Sequence, residues 1–155
     1  METVGLGFYL EDMPVGRQFQ TIGRTITEPD IVNFISTTGL LEVMFTDLEF
    51  QKTRAELNGR LCPGWLALTI CEGLLVQATM QHTALAFMNM EFEVKKPVFA
   101  GDTIHVEVEV IESRRSNSRP ERGLVRTRNN IVNQRGETVI TYTPLRMIKA
   151  RNKGE

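Results

Sequence analysis

Pro63 and Gly64 stand at the start of a long apolar segment, and they offer the clearest chemistry in this sequence. Proline is tolerated in the first turn of a helix, so the pair predicts a helix that begins here. The first N–H groups of a helix have no intrahelical acceptor and carry partial positive charge. Negative charge nearby would therefore be favoured. The alternative is that Pro63 and Gly64 merely start a buried helix.

Side chains that could act as an acid, a base or a nucleophile are few. Glu42 is the carboxylate of an otherwise apolar connection, LLEVMF, and could be a lone base or simply a solvated loop residue. Cys62 precedes the predicted helix start, which could lower its thiol pKa, but cysteine is commonly just a small buried residue. His82 and His105 have no metal-ligand partner at useful spacing. We therefore expect neither a metal nor a cofactor.

Size and charge limit the possible functions. The chain has 155 residues, which predicts one domain over residues 1–155, and its formal net charge is -1. We expect no binding to nucleic acid and no attachment to a membrane, because no overall field favours either and no apolar run reaches about 18 residues. Cys62 and Cys71 would lie about 13 Å apart on one helix, too far for a disulfide. Free thiols and the lack of a signal-like N-terminus predict a cytoplasmic protein.

Capping and periodicity predict the elements that must position these residues. Thr27 as N-cap, Asp30 three residues later and Gly39 at the far end predict a first helix. A second, short helix is predicted to begin at Thr46. The segment from Trp65 to about Met80 is apolar nearly all round and predicts a helix buried on most sides. A first strand is predicted near residues 18–26, and after the long helix the period changes to two, which predicts strands near residues 86–94, 104–111, 124–132 and 138–148.

The order of these elements predicts an α+β architecture. One antiparallel sheet wraps one long buried central helix, an arrangement known as the hotdog fold. A lone sheet and helix leave other surfaces uncovered, so we expect a homodimer or higher oligomer, often formed by joining sheets edge to edge.

Several segments then resemble, in order and spacing, those of one family. They are YLEDMPVGRQF, FISTTG followed by TDLEFQK, NGRLCPGWLALTI, and FEVKKPVFAGDTIHVEVEV. Over nearly its whole length the chain resembles the MaoC-like hotdog proteins, best known for (R)-specific hydration of enoyl-CoA and the reverse dehydration. The resemblance implies an acyl-CoA or acyl carrier protein thioester as the ligand. It also implies that the N–H of Gly64 meets the thioester carbonyl and stabilises the oxyanion that forms there.

The connection after the first helix departs from the family's hydratase signature, Gly-Asp-x-Asn-Pro-x-His. The signature aligns from Gly39 without a gap, so that its Asp falls on Leu40 and its His on Phe45. Neither hydrocarbon side chain can transfer a proton, which argues against the family's reaction here. The resemblance still implies a thioester pocket, with Leu40, Val43, Phe45 and Trp65 as its wall.

Two pairs of basic residues are candidates to bind the phosphates of coenzyme A. Lys95 and Lys96 precede Pro97, and Arg114 and Arg115 lie at a predicted strand end. Alternatively, these residues form a solvated positive edge that prevents strand pairing.

Three functions remain open at this stage. The first is a hydratase or dehydratase with substituted catalytic groups, in which Glu42 would act as the base. The second is a non-catalytic acyl-binding protein, or the partner subunit of a hotdog heterodimer whose other chain supplies Asp and His. The third is an acyl-CoA thioesterase. The fold does not decide among them.

Overall fold

The structure is a computed structural model and describes residues 1–54 and 56–151. After a 3-10 turn at Leu10–Asp12, the helices are α1 (Glu28–Thr38), α2 (Val43–Thr46), α3 (Leu48–Lys52) and α4 (Gly64–Thr79). The strands are β1 (Gln18–Gln20), β2 (Arg24–Thr25), β3 (Leu61–Cys62), β4 (Ala84–Asn89), β5 (Phe92–Val94), β6 (Val98–Phe99), β7 (Thr103–Arg115), β8 (Arg122–Val132), β9 (Thr138–Tyr142) and β10 (Leu145–Lys149). No helix among the described residues is long and apolar enough to cross a membrane.

An eight-stranded antiparallel sheet forms one layer of the protein, with β7 and β8 at its centre. The main order is β1-β7-β8-β10-β4, β2 also pairs with β7, and β9 pairs with both β8 and β5. The last predicted strand is therefore two strands, separated at Thr143 and Pro144. Pro144 has no N–H to donate to a neighbouring strand, and the chain moves from pairing with β5 to pairing with β4.

The predicted ends of α1 are confirmed. The Thr27 hydroxyl accepts a hydrogen bond from the Asp30 N–H, the Asp30 carboxylate accepts one from the Thr27 N–H, and Gly39 has a φ of 71°. The predicted start of the second helix at Thr46 is wrong. Asp47 caps α3 instead, because its Oδ1 accepts the N–H groups of Glu49 and Phe50 at 3.0 Å each.

Helix α4 packs on the sheet and completes the predicted α+β architecture. It buries Leu66, Ala67, Leu68, Cys71 and Leu75 in one cluster with Val106, Ile131, Ile140 and Tyr142 of the sheet. Its opposite side is exposed at Trp65, Thr69, Gly73 and Val76. The helix is therefore buried on one side rather than on most sides. A methyl group at Gly73 would meet no described atom within 4 Å, so no described residue covers α4 at that point.

Candidate functional site

A groove of about 370 Å³ opens beside the first residue of α4, and we call it the Gly64 groove. It lies where the start of α4 faces the end of β5 and the segment that joins β5 to β6. The residues that line it are Phe45, Leu57, Leu61, Cys62, Gly64, Val94, Lys95, Lys96, Pro97, Val98 and Ile140. The groove is therefore apolar along most of its length and basic along one side.

Backbone donors at the start of α4 remain free beside this groove. The N–H groups of Leu66 and Ala67 both donate to the Pro63 carbonyl, at 2.9 and 3.2 Å. Those of Gly64 and Trp65 have no acceptor in the part of the chain that the structure describes. Gly64 also lies close to β5, since a Cβ there would lie 3.3 Å from Cγ2 of Val94. The helix start thus combines unpaired donors with limited space.

Of the four predicted wall residues, the structure brings only Phe45 to the groove. The second half of the connection is not a loop, because Val43–Thr46 form the single helical turn α2. Residues two apart on a helix point about 200° apart, so Val43 faces solvent while Phe45 faces inward. Leu40 is half-buried outside the groove, and Trp65 is exposed, with its ring stacked on that of Phe92 at 5.1 Å.

Among the described residues, the groove is lined by no carboxylate and no imidazole. Glu42 is exposed at the N-cap of α2, its side chain makes no capping hydrogen bond, and it does not line the groove. No Asp, Glu or His within residues 1–54 and 56–151 lines the groove. Cys62 does line it, but burial raises the pKa of the Cys62 thiol to about 12. The thiol is therefore protonated near neutral pH and is a poor nucleophile.

The two predicted pairs of basic residues lie far apart in the protomer. Lys95 and Lys96 both line the groove; Lys95 Nζ lies 4.0 Å from a Glu93 oxygen, and Lys96 donates to Glu137 at 2.8 Å. Ile140 of the groove pairs with Ile131, which pairs with Val106 of β7.

The arginines lie further along the same strand. Arg114 is about 26 Å beyond Val106 at the usual rise of a strand. Arg114 pairs with Glu112, and Arg115 pairs with Glu11. Within one protomer, Arg114 and Arg115 therefore do not join Lys95 and Lys96 around the groove.

Sequence reasoning missed a polar cluster between α4 and the sheet. The Tyr142 hydroxyl donates to Glu72 at 2.7 Å, and Arg146 pairs with the other oxygen of the same carboxylate. Burial, followed by the nearby charge of Glu72, raises the pKa of Tyr142. The available signal was one acidic residue in an otherwise apolar helix. The cluster is internally satisfied and fixes α4 on the sheet.

Arg60 is also absent from the predicted site residues, although it lies in the segment NGRLCPGWLALTI, which resembles the family. Its guanidinium bonds to Glu28 of α1 and to the Phe45 carbonyl of α2. These partners are 32 and 15 residues away, so no local pattern points to them.

Comparison with known proteins identifies the family to which these features belong. A family model described as "MaoC like domain" matches residues 12–134. No curated protein matches the chain.

Solved structures agree with the sheet and helix described above. A MaoC-like dehydratase from Rhodospirillum rubrum is 28% identical, with a TM-score of 0.81, and the match covers 94% of this chain and 99% of that one. A monoamine oxidase regulatory protein from Archaeoglobus fulgidus is also 28% identical, with a TM-score of 0.82 and coverage of 94% and 97%. A Mycobacterium tuberculosis protein with a double hotdog fold is 19% identical, with a TM-score of 0.84; the match covers 99% of this chain but 47% of that one. The predicted hotdog fold is therefore confirmed.

Proposed function

The chain belongs to the MaoC-like domain family, and on that premise we propose that it binds an acyl thioester in the Gly64 groove without hydrating it unaided. The observation that carries this proposal is the composition of the groove. It places unpaired N–H donors and apolar walls together, but it contains no acidic or histidine side chain among the described residues.

The thioester carbonyl would accept a hydrogen bond from Gly64 or Trp65 at the start of α4. The partial positive charge of the helix end favours an oxygen that carries negative charge, so these donors suit both binding and polarisation. The acyl chain would lie against Phe45, Leu57 and Val94, where apolar surface leaves water. Both interactions survive the loss of catalytic side chains.

Hydration requires more than binding. A base must reach the attacking water, and an acid must reach the carbon that is protonated, each within hydrogen-bond distance. With Leu40 and Phe45 at the predicted positions of the family's Asp and His, no described carboxylate or imidazole lines the groove to fill either role. Glu42 as a lone base is not favoured, because its side chain is exposed outside the groove.

Coenzyme A carries phosphates, and Lys95 is the groove residue best able to meet them. Its ammonium is only loosely paired with Glu93 at 4.0 Å, while Lys96 is engaged with Glu137. Arg114 and Arg115 could contribute only from another protomer. An acyl carrier protein would present the same thioester with a phosphopantetheine arm.

We further propose that a second hotdog domain docks across β4 and the exposed side of α4. Every residue of β4 is exposed, and among the described residues it pairs only with β10, which leaves the other edge open. Its sequence ALAFMN contains none of the Lys or Pro residues that commonly protect edge strands. The double hotdog protein, of which this chain matches about half, supports such a pairing. The partner is either a second copy, which has the same Leu40 and Phe45, or a related chain that supplies the missing Asp and His.

A titration of the purified chain tests the binding proposal. The only tryptophan, Trp65, follows Gly64 directly, so its fluorescence should change saturably with crotonyl-CoA and more weakly with CoA. Gly64→Val should lower crotonyl-CoA affinity by about tenfold, roughly 1.4 kcal/mol, because the new side chain meets Val94. Gly23→Val is the matched control, since its Cβ would contact Thr103 at a similar 3.2 Å outside the groove.

The same samples distinguish the alternatives. We expect no hydration of crotonyl-CoA by the chain alone. Turnover of about 1 per second or more would overturn the non-catalytic proposal. Release of free acid would establish the thioesterase instead. Absence of saturable binding would reject the acyl-thioester proposal, and a monomer at micromolar concentration would reject pairing with a second copy.

A further inference from the structure

Arg60 joins three parts of the chain next to the Gly64 groove. Its Nε lies 2.9 and 3.0 Å from the two carboxylate oxygens of Glu28 in α1, and its Nη1 donates to the Phe45 carbonyl at 2.6 Å. The Arg60 side chain is only 14% exposed. A guanidinium that is largely removed from water and bonded to a charged partner makes strong hydrogen bonds.

The hydrogen bond from Arg60 to the Phe45 carbonyl lies near the C-terminal end of α2. A helix of one turn is too short to be stable by itself, and its last carbonyls lack intrahelical partners. The Met44 carbonyl accepts a bond from the buried Gln51, and the Phe45 carbonyl accepts one from Arg60. These two side chains therefore hold α2 in place, and Arg60 holds the residue whose ring lines the groove.

The backbone of Arg60 is itself fixed to the other side of the groove. Its carbonyl accepts the Ala100 N–H at 2.9 Å, and the next residue, Leu61, pairs with Phe99. Pro63 and Gly64 follow directly along the chain. One residue thus connects the wall at Phe45 to the strand that leads to the donors at Gly64.

We propose that Arg60 is a positioning residue that holds Phe45 at a fixed distance from Gly64 and so determines which acyl chains the groove accepts. The residue acts through Phe45, because Arg60 does not line the groove itself. This inference rests on the proposed acyl-thioester binding, and it assigns the selectivity of that site to a side chain outside it.

Affinities for two ligands measure this role. Arg60→Met should lower the affinity for crotonyl-CoA by about tenfold and leave the affinity for free CoA unchanged, because only the acyl group contacts the wall. Arg60→Lys should recover part of the loss, since lysine keeps a charge but cannot reach both partners as a planar fork. Arg128→Met, which breaks an exposed pair with Glu109 on the sheet, is the matched control and should change neither affinity.

A second measurement needs no ligand. Backbone hydrogen exchange at residues 43–47 should be about tenfold faster in Arg60→Met than in the wild type or in Arg128→Met. If exchange does not change, the proposal that Arg60 holds α2 in place is overturned. If exchange increases but the ratio of the two affinities stays constant, positioning is overturned. If Arg60→Met does not fold, Glu28→Gln must show a smaller change in the same direction, or the inference fails.

These outcomes separate the two proposals. A wild-type chain that binds no crotonyl-CoA rejects the proposed function, and with it the role in acyl selection, whatever the exchange rates are. A wild-type chain that binds crotonyl-CoA, combined with an Arg60→Met variant of unchanged selectivity, rejects the positioning role alone.

Discussion

The two ends of β7 both have basic residues near them, but these residues are paired to different degrees. Near its first residues, Lys96 is paired with Glu137, but Lys95 reaches a carboxylate only at 4.0 Å and borders the Gly64 groove. Near its last residues, Arg114 and Arg115 are paired with Glu112 and Glu11. The end with more arginines is therefore the less available to an anion. Density of positive charge in a sequence does not locate an anion site, because distant acidic residues can neutralise it in the fold.

The two regions also differ in how tightly their glycines are packed. This difference leads to the largest expected effect, a change in the free energy of unfolding. A Cβ at Gly123, beside Arg114, would lie 2.6 Å from the Arg114 carbonyl oxygen, whereas a Cβ at Gly64 would lie 3.3 Å from a Val94 methyl group. We expect Gly123→Ala to lower the free energy of unfolding by about 3 kcal/mol, because the backbone of β7 must move. Gly64→Ala should cost less than about 1 kcal/mol.

Chemical denaturation measures both changes. Crotonyl-CoA binding provides the complementary test, since folded Gly123→Ala should bind normally while Gly64→Ala should bind more weakly. Equal losses of stability in the two variants would contradict this contrast between a tightly packed end and an open end.

The charge contrast predicts an effect of intermediate size. Lys95→Ala should weaken crotonyl-CoA binding by up to about fivefold and make it less sensitive to salt, because one available cation near the groove is lost. Arg114→Ala should leave the affinity unchanged, since its side chain is paired with Glu112 far from the groove. Titration of each variant with crotonyl-CoA at two ionic strengths measures the affinity and its sensitivity to salt. A comparable loss in Arg114→Ala would indicate that the arginine end of another protomer reaches the ligand.

The smallest effect concerns Glu137, the partner of Lys96. Hydrogen bonds from Asn133, Lys96 and Arg135 lower the pKa of Glu137 to about 2, from an ordinary value of 4.5. A carboxylate whose pKa is lower in the folded state stabilises the fold above its unfolded pKa, and this contribution is lost as pH falls towards about 2. Glu137→Gln should therefore lose less stability than the wild type between pH 4.5 and 2. Thermal unfolding across this range measures the difference, and parallel curves would contradict it.

Local signals in the sequence were sufficient for much of the fold. Thr27, Asp30 and Gly39 determine the ends of α1 through bonds and dihedral angles within the helix and its caps. The alternation of buried and partly exposed residues in β7 follows from one face packing on α4. Gly64 could be identified as the helix start because proline and glycine have local conformational consequences.

The rest depends on partners that are distant in sequence. Val43 and Phe45 could not be separated into outward and inward residues without knowing that α2 is helical, and the Phe45 carbonyl of α2 is bonded by the distant Arg60. Arg115 looked available because its partner, Glu11, is 104 residues away. The sequence therefore predicted which residues are near the groove better than it predicted which of them face it.

The open edge of β4 affects more than recognition. A strand that completes its hydrogen bonds only on another polypeptide makes folding and association one equilibrium, so the melting temperature rises with protein concentration. Stability would then be a property of the population of chains rather than of a single molecule. With a related partner chain that carries the Asp and His, the same contact would complete the hydrogen bonds of β4 and bring in the groups that hydration requires.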